Sequence, residues 1–428
     1  MNRRKFLEMT SLGTAAAVSP DWFTPGPDVS VLRIGLIGAG WYGMVITKAA
    51  LESGGAVVAA VCDVDSEHLN SSADELAKIQ GSRPVTYKHY EELLESGGLD
   101  VIFIATPPHW HALQFIAACR KGFDIYCEKP LSYDVREGLA MVSSARKAGN
   151  IVQIGFQRRQ SQAFMKAKEL IESGRIGEVH KIGAQIHYIP GPDDTTVQAP
   201  PPGLDWEKWC GPAPKLDYRP SIGHKSWRLE KEYGNGHLVD WGIHHIDIIR
   251  TIMAEDMPTE FFTTGGINVL KGKITTPDTL TAEMAFRKAP VLWQHRLWGN
   301  GDVIREYNNG IFFYGEKGTL FAEDSKVSVF PAGRNETKED IHCPAPKMQE
   351  NHVKNFLDAV RKRDKSLISC TPEDAFMSTA TVQLAMISYY TKSLVKWNTA
   401  VNEITDNNAA SAMLKREYRT GYTHPFAG

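Results

Sequence analysis

Proton-moving side chains recur in this chain at spacings that could bring them together. Within Gly234-Asn235-Gly236-His237-Leu238-Val239-Asp240-Trp241-Gly242-Ile243-His244-His245-Ile246-Asp247, Asp240 and His244 are four residues apart, so a helix would set them on one face. Ile243, Ile246, Ile249 and Ile252 continue a helical pattern with an apolar side. Imidazole exchanges a proton near neutral pH, and a carboxylate beside it holds it in position and favours its protonated form. Glu128-Lys129-Pro130 adds an amine able to bind a substrate hydroxyl and help carry its proton. Glu128 could orient that amine or contact a ribose; a surface turn is the plainer account of the same residues. His244, His245 and Asp247 also suggest a metal, but adjacent histidines on a helix point about 100° apart, and no metal site is expected.

A different chemistry is written in Gly38-Ala39-Gly40-Trp41-Tyr42-Gly43. An apolar strand, Val31 to Ile37, precedes this turn and a helical pattern follows it. Glycines at this spacing allow a tight turn, close approach of the backbone to a pyrophosphate, and close helix packing, while the helix N-terminus offers amide donors. A second apolar run, Val57 to Cys62, ends in Asp63, where a carboxylate would take the ribose hydroxyls of NAD and repel the extra phosphate of NADP. Ala105-Thr106-Pro107-Pro108-His109-Trp110-His111 follows a later strand, at the edge where open sheets bind ligands. Thr106 and Pro107 would form a rigid loop against the nucleotide. His111 could touch nucleotide or substrate, or serve only as a helix-start residue. Gln157 completes the expected cofactor contacts.

Aromatic and cationic residues supply a candidate substrate pocket: Arg158, Tyr188, Trp227, Arg228 and His245, with Trp206 and Trp209 nearby in sequence. Sugar rings offer C–H faces to aromatics and hydroxyls to charged groups. Core tryptophans and surface arginines explain much of the same pattern.

These residues need elements to position them. Residues 31–156 alternate short apolar strands with helical patterns, which argues for a parallel, doubly wound Rossmann sheet. Residues 157–399 change character: eight prolines fall between 190 and 220, and later strands follow one another without helices between them. The fold class expected is therefore α/β, an N-terminal Rossmann domain plus a C-terminal α+β domain with an open, mainly antiparallel sheet. Residues 400–428 show no strong pattern and read as an arm reaching over a neighbour.

Composition excludes several classes. Net charge is -2 without a long basic run, so nucleic acid is not an expected partner, and no apolar stretch is long enough to span a bilayer. The six cysteines are scattered without a CxxC, which suggests neither a disulfide framework nor a thiolate zinc site. Residues 1–30 read as a signal and linker: Asn2-Arg3-Arg4-Lys5-Phe6-Leu7 and Ala15-Ala16-Ala17 have the pattern of a twin-arginine export signal, which carries folded proteins to the periplasm or envelope.

Taken together, Gly38, Gly40 and Gly43, Thr106-Pro107 with His111, Glu128-Lys129-Pro130, and the Gly236, Asp240, Gly242 and His244 signature resemble the glucose–fructose oxidoreductase, inositol dehydrogenase and rhizopine-catabolism protein family, from about residue 31 to 397. Asn235 interrupts a run usually made of glycines. The resemblance implies a catalytic lysine at Lys129, a carboxylate–histidine pair at Asp240 and His244, and His244 as acid or base on the reacting hydroxyl. It also implies a tightly held NAD, with NADP less expected, and a sugar or cyclic polyol as substrate. A homodimer or homotetramer would form through the C-terminal sheet. Two other outcomes fit the resemblance: an NAD-dependent glycosidase that oxidises, eliminates and re-reduces, or a non-catalytic nucleotide-binding sensor.

Overall fold

Strand–turn–helix units build the first sheet. In the computed structural model, which describes residues 31–189, 194–224, 226–333, 336–344 and 347–426, its strands are β1 (Leu32–Ile37), β2 (Ala56–Cys62), β3 (Val85–Tyr87), β4 (Val101–Ile104), β5 (Asp124–Glu128) and β6 (Val152–Gly155). The twin-arginine-like segment and Lys225 lie outside the described residues. All neighbours pair in parallel in the order β3-β2-β1-β4-β5-β6, so the strand order reverses between β1 and β4. That reversal opens a crevice at the carboxyl ends of the two strands. β4 is buried along its whole length, as its unbroken apolar sequence requires of a strand covered on both faces. α1 (Trp41–Glu52) and α4 (Pro108–Arg120) lie against it, and α2 (Ser66–Gln80), α3 (Tyr90–Glu95) and α5 (Val135–Ala148) complete the helices of this half. Asp134 and Glu137 form a reciprocal capping box at the start of α5, and Gly149 closes it in the left-handed conformation.

After α6 (Gln162–Glu172) the chain enters a ten-stranded sheet. Its strands are β7 (Val179–Ile186), β8 (Glu260–Gly266), β9 (Thr279–Met284), β10 (Val291–Arg296), β11 (Asn309–Gly315), β12 (Gly318–Ala322), β13 (Lys326–Pro331), β14 (Glu339–His342), β15 (Val395–Asn398) and β16 (Glu403–Thr405). The order is β14-β13-β12-β11-β7-β10-β9-β8-β15-β16, antiparallel throughout except for β7 against β10. The mainly antiparallel second sheet is thus as expected. Its outer strands β14, β15 and β16 are three or four residues long, too short to leave a readable alternation.

Between β7 and β8 the proline-rich excursion folds on its own small core. Trp206, Trp209, Tyr218, Trp227 and Tyr233 pack together around the short helix α7 (Trp206–Cys210). Backbone hydrogen bonds fasten the excursion to the end of β2: the Ser66 N–H donates to Gly203 O (2.9 Å) and the Asp205 N–H to Val64 O (3.1 Å). A single π-helical turn, Leu238–Gly242, then leads into α8 (Ile243–Met253). Two further helices, α9 (Met348–Lys362) and α10 (Pro372–Thr391), pack back toward the first sheet: α9 lies beside α1, and α10 beside α5.

The tail, read from the sequence as an arm, makes contacts within its own chain. After α11 (Asn408–Ala412) it folds onto its own chain. The Arg416 N–H donates to Asp134 Oδ2 (3.1 Å), Tyr418 Oη donates to Glu137 Oε1 (2.7 Å), and Tyr422 packs edge-on against Trp110 with ring centroids 5.7 Å apart. The buried acids at the start of α5 supply acceptors that no hydrophobic pattern in the tail could announce.

Candidate active site

The glycine turn joins β1 to α1 at the sheet crevice. Gly38 holds φ at 93°, and a Cβ there would stand 2.8 Å from the Thr106 nitrogen; at Gly43 a Cβ would overlap the Gly38 carbonyl oxygen. Gly40 faces open space instead. The turn lines one wall of a cleft of about 1250 Å³, solvent at its mouth included, with Trp41, Tyr42, Asp63, Thr106 and Pro107 also in its wall. Asp63 is fixed at the rim, Oδ2 accepting from the Ala39 N–H (2.7 Å) and Oδ1 from the Asp65 N–H (2.9 Å). Burial raises its pKa, opposed by those two amides.

Tyr42 anchors a polar chain behind the turn. Its hydroxyl donates to Gln349 Oε1 (2.8 Å) and accepts from Gln157 Nε2 (2.8 Å), while Gln349 Nε2 donates to Tyr126 Oη (3.1 Å). Gln157 Oε1 and Glu128 Oε1 remain buried without hydrogen-bond partners. Glu128 Oε2 accepts from the Lys129 N–H (3.2 Å), and burial pushes this carboxyl up to about 8 against the pull of Lys129. Thr106 Oγ1 donates to Gln114 Oε1 (2.7 Å), which fixes the threonine in the cleft wall.

His111 takes the structural one of its two expected parts. It is fully buried, with Nδ1 2.8 Å from Pro130 O and Nε2 2.8 Å from Thr106 O, so it ties two cleft-forming loops together from behind. Burial lowers its pKa, with the backbone carbonyls opposing.

The second group is assembled across the two sheets. Lys129 Nζ donates to Asp240 Oδ1 (2.9 Å) and Asp240 O (2.7 Å), and Arg228 Nε stands 3.1 Å from Asp240 Oδ2. Burial alone would raise the Asp240 pKa, but Lys129 and Arg228 outweigh it and hold the carboxyl at about 2. Four residues on, His244 is buried between Phe156 and Trp241, ring centroids 6.3 and 6.1 Å away, and its Nδ1 has no hydrogen-bond partner. Burial first, then the Lys129 and Arg158 charges, hold its pKa well below the usual histidine value, so the ring is neutral. The π-helical turn places Asp240 and His244; such turns widen a helix locally and recur at functional sites.

Arg158 is held by Asp324 from the β12–β13 turn (3.1 Å), with its guanidinium 5.7 Å from the Trp241 ring and its Nη1 buried without a partner. Tyr188 packs at 6.2 Å on the same Trp241. Trp227 lies under the Arg228 guanidinium at 4.4 Å, and both belong to the cleft wall. Lys129, Asp240 and His244 are not part of that wall; Arg228 connects it to them. His245 departs from the substrate reading. It turns to the second sheet, its ring 6.0 Å from Trp293, while Asp247 pairs with Arg159. The metal reading at 244–247 therefore has no common focus. Gln349, Tyr126, Gln114, Asp324 and Tyr422 had no motif to mark them; Gln349 meets Tyr42 across 307 residues of chain.

A parallel sheet with a glycine-turn crevice, and a lysine from its β5 end paired with a carboxylate–histidine turn from the second half of the chain, define a nucleotide-dependent oxidoreductase. Residues 32–156 match the oxidoreductase family with an NAD-binding Rossmann fold, and residues 168–396 match the C-terminal alpha/beta domain of the same family. The chain belongs to the glucose–fructose oxidoreductase, inositol dehydrogenase and rhizopine-catabolism protein family, and it is an NAD(P)-dependent enzyme by class. Similar proteins include the myo-inositol 2-dehydrogenase of Thermotoga maritima, 26% identical over 300 residues, covering 70% of this chain and 77% of that one. The inositol 2-dehydrogenase of Rhizobium meliloti is 26% identical over 344 residues, covering 77% and 89%. In fold, the chain is similar to an oxidoreductase from Agrobacterium radiobacter solved with NAD+, L-tartaric acid and magnesium (TM-score 0.66, 20% identity, 85% of this chain and 98% of that one). The residues here fit NAD: glycines leave room at the turn, Asp63 stands at the cleft rim, and two buried acceptors near Tyr42 lack partners.

Proposed function

We propose that this protein oxidises a hydroxyl-bearing carbon of a sugar or cyclic polyol, using NAD kept in the cleft. The observation that carries this reading is Asp240 clamped between Lys129 and Arg228, with neutral His244 on the next turn. Bound NAD supplies a ring carbon that takes and returns hydride. Gly38, Gly40, Gly43 and Thr106 would hold its phosphates and inner ribose, and Asp63 its outer ribose. The neutral His244 imidazole accepts the hydroxyl proton as the C–H bond breaks. Lys129 Nζ spends two donors on Asp240 and keeps a third N–H for the reacting oxygen. Asp240 holds that amine in place, and Arg228 and Trp227 offer a charged and an apolar surface to a sugar ring. The inositol dehydrogenases among the relatives favour a polyol or sugar over other alcohols.

Export through the twin-arginine-like segment belongs to the same proposal, because a periplasmic enzyme gains from a nucleotide it holds tightly. Self-association through the second sheet does too. Phe262 and Tyr314 leave large apolar surface exposed on strands β8 and β11, as expected of a contact face. A panel of sugars and polyols, added to the holoprotein, tests the reaction. At least one should raise the near-ultraviolet absorbance of reduced nicotinamide in the wild type and not in His244→Ala; a silent panel contradicts the substrate class.

A further inference from the structure

Away from the proton-moving group, three ligand-type side chains meet at the other end of the cleft. Asp65 caps α2, its Oδ1 accepting from the Glu67 N–H (2.8 Å) and the His68 N–H (3.3 Å). His68 stands on the first turn of the same helix. His224 arrives from the excursion, with Nε2 3.0 Å from Asp65 Oδ2 and its ring centroid 4.1 Å from that of His68. One ligand atom from each of the three residues lies within 4.8 Å of the other two. His224 is held at φ 51°, a region that non-glycine residues enter rarely and that persists only where the surroundings enforce it. His68 and His224 both line the cleft that contains Asp63.

Two imidazoles and one carboxylate suit a first-row divalent ion of the zinc type, whereas calcium and magnesium favour shells of oxygen. A tetrahedral ion about 2.0–2.1 Å from each donor puts the donors about 3.4 Å apart, within reach of rotamer adjustments from the spacing seen. A hydrogen bond between His224 and Asp65 accounts for one contact of the three. It leaves His68 ring against ring with His224, the arrangement a shared ion would satisfy.

We propose that Asp65, His68 and His224 bind a divalent transition-metal ion that clips the excursion to α2 beside the nucleotide cleft. The ion would reinforce the backbone hydrogen bonds at Ser66 and Asp205 and slow departure of the nucleotide. The metal site stands apart from the sugar chemistry; only its effect on nucleotide release rests on the NAD reading.

The test is Co2+ titration of the full chain after chelator treatment, followed by d–d absorption, with Zn2+ as competitor. One equivalent should bind with the spectrum of a low-coordinate nitrogen–oxygen site. His68→Ala and His224→Gln should each weaken it at least about 100-fold, while His180→Ala, in the exposed Glu178–His180–Glu316 group, leaves it intact. Asp65→Asn keeps the helix cap and should also lose the ion, which separates ligation from folding. Saturating Zn2+ should slow NADH dissociation at least about tenfold in the wild type and not in His224→Gln. Failure to bind Co2+, or an unchanged spectrum in both histidine variants, overturns the site; Zn2+ binding without slower NADH release overturns the clip. Neither result depends on finding a substrate.

Discussion

The nucleotide half and the proton-moving half of this site are built in opposite ways. The cleft wall draws on short contiguous motifs, each at the carboxyl end of one parallel strand: residues 38–43 after β1, Asp63 after β2, and Thr106-Pro107 after β4. The proton-moving group is collected from distant places. Lys129 comes from the end of β5, Arg228 from the excursion, Asp240 and His244 from the π-helical turn and α8, and Asp324 from a hairpin turn. A nucleotide is bound largely by backbone and strand ends, which a fold repeats. A reacting hydroxyl needs side chains from several directions, which only the joined sheets provide.

That contrast can be broken by substitution. Lys129→Ala and His244→Ala should each lower turnover at least about 100-fold while the purified protein still carries nucleotide. Gly43→Ala should do the reverse and strip the nucleotide, because its Cβ overlaps the Gly38 carbonyl oxygen; the repair should cost about 1–3 kcal/mol in thermal unfolding. Bound nucleotide and turnover, measured on the same preparations, check both. Equal loss of nucleotide in all three variants would mean that the two halves are not separable.

Smaller effects are expected at Asp63 and in the pH dependence. Asp63→Ala should shift the NAD over NADP preference by about tenfold or more in binding titrations, since a carboxylate favours ribose hydroxyls and repels a phosphate. The pH profile of the oxidative half-reaction should be nearly flat from about pH 7 down to about pH 6, below the range in which Glu128, held at about 8, ionises, because burial and the Lys129 and Arg158 charges hold the His244 pKa well below the usual value. Loss of rate with an apparent pKa near the ordinary histidine value would place an exposed imidazole in control.

Legibility followed the same division. The parallel sheet, the glycine turn and the strand-end residues could be read because each is local and carries a backbone requirement, as at Gly38 and Gly43. Asp240 and His244 were legible as a pair from their spacing, yet the π-helical turn between them was not, since the residues composing it do not distinguish it from an α-helix. His111, open to either role in the sequence, and His245, expected at the substrate, turn on one point. A histidine beside a site can face away from it, and here one lies between two backbone carbonyls while the other packs on Trp293. Gln349, Asp324 and the tail's contacts with Asp134 and Glu137 depend on tertiary folding alone. No spacing rule reaches across such separations.

Isotope transfer reads the hydride step itself. A reactive sugar or polyol, deuterated at its hydroxyl-bearing carbons, is added to the holoprotein, and the nucleotide is released by denaturation for mass spectrometry. Deuterium on the reduced nicotinamide in the wild type, and none in His244→Ala, is the predicted result. Reduced nucleotide without deuterium, or transfer undiminished without His244, would contradict direct hydride transfer at this site.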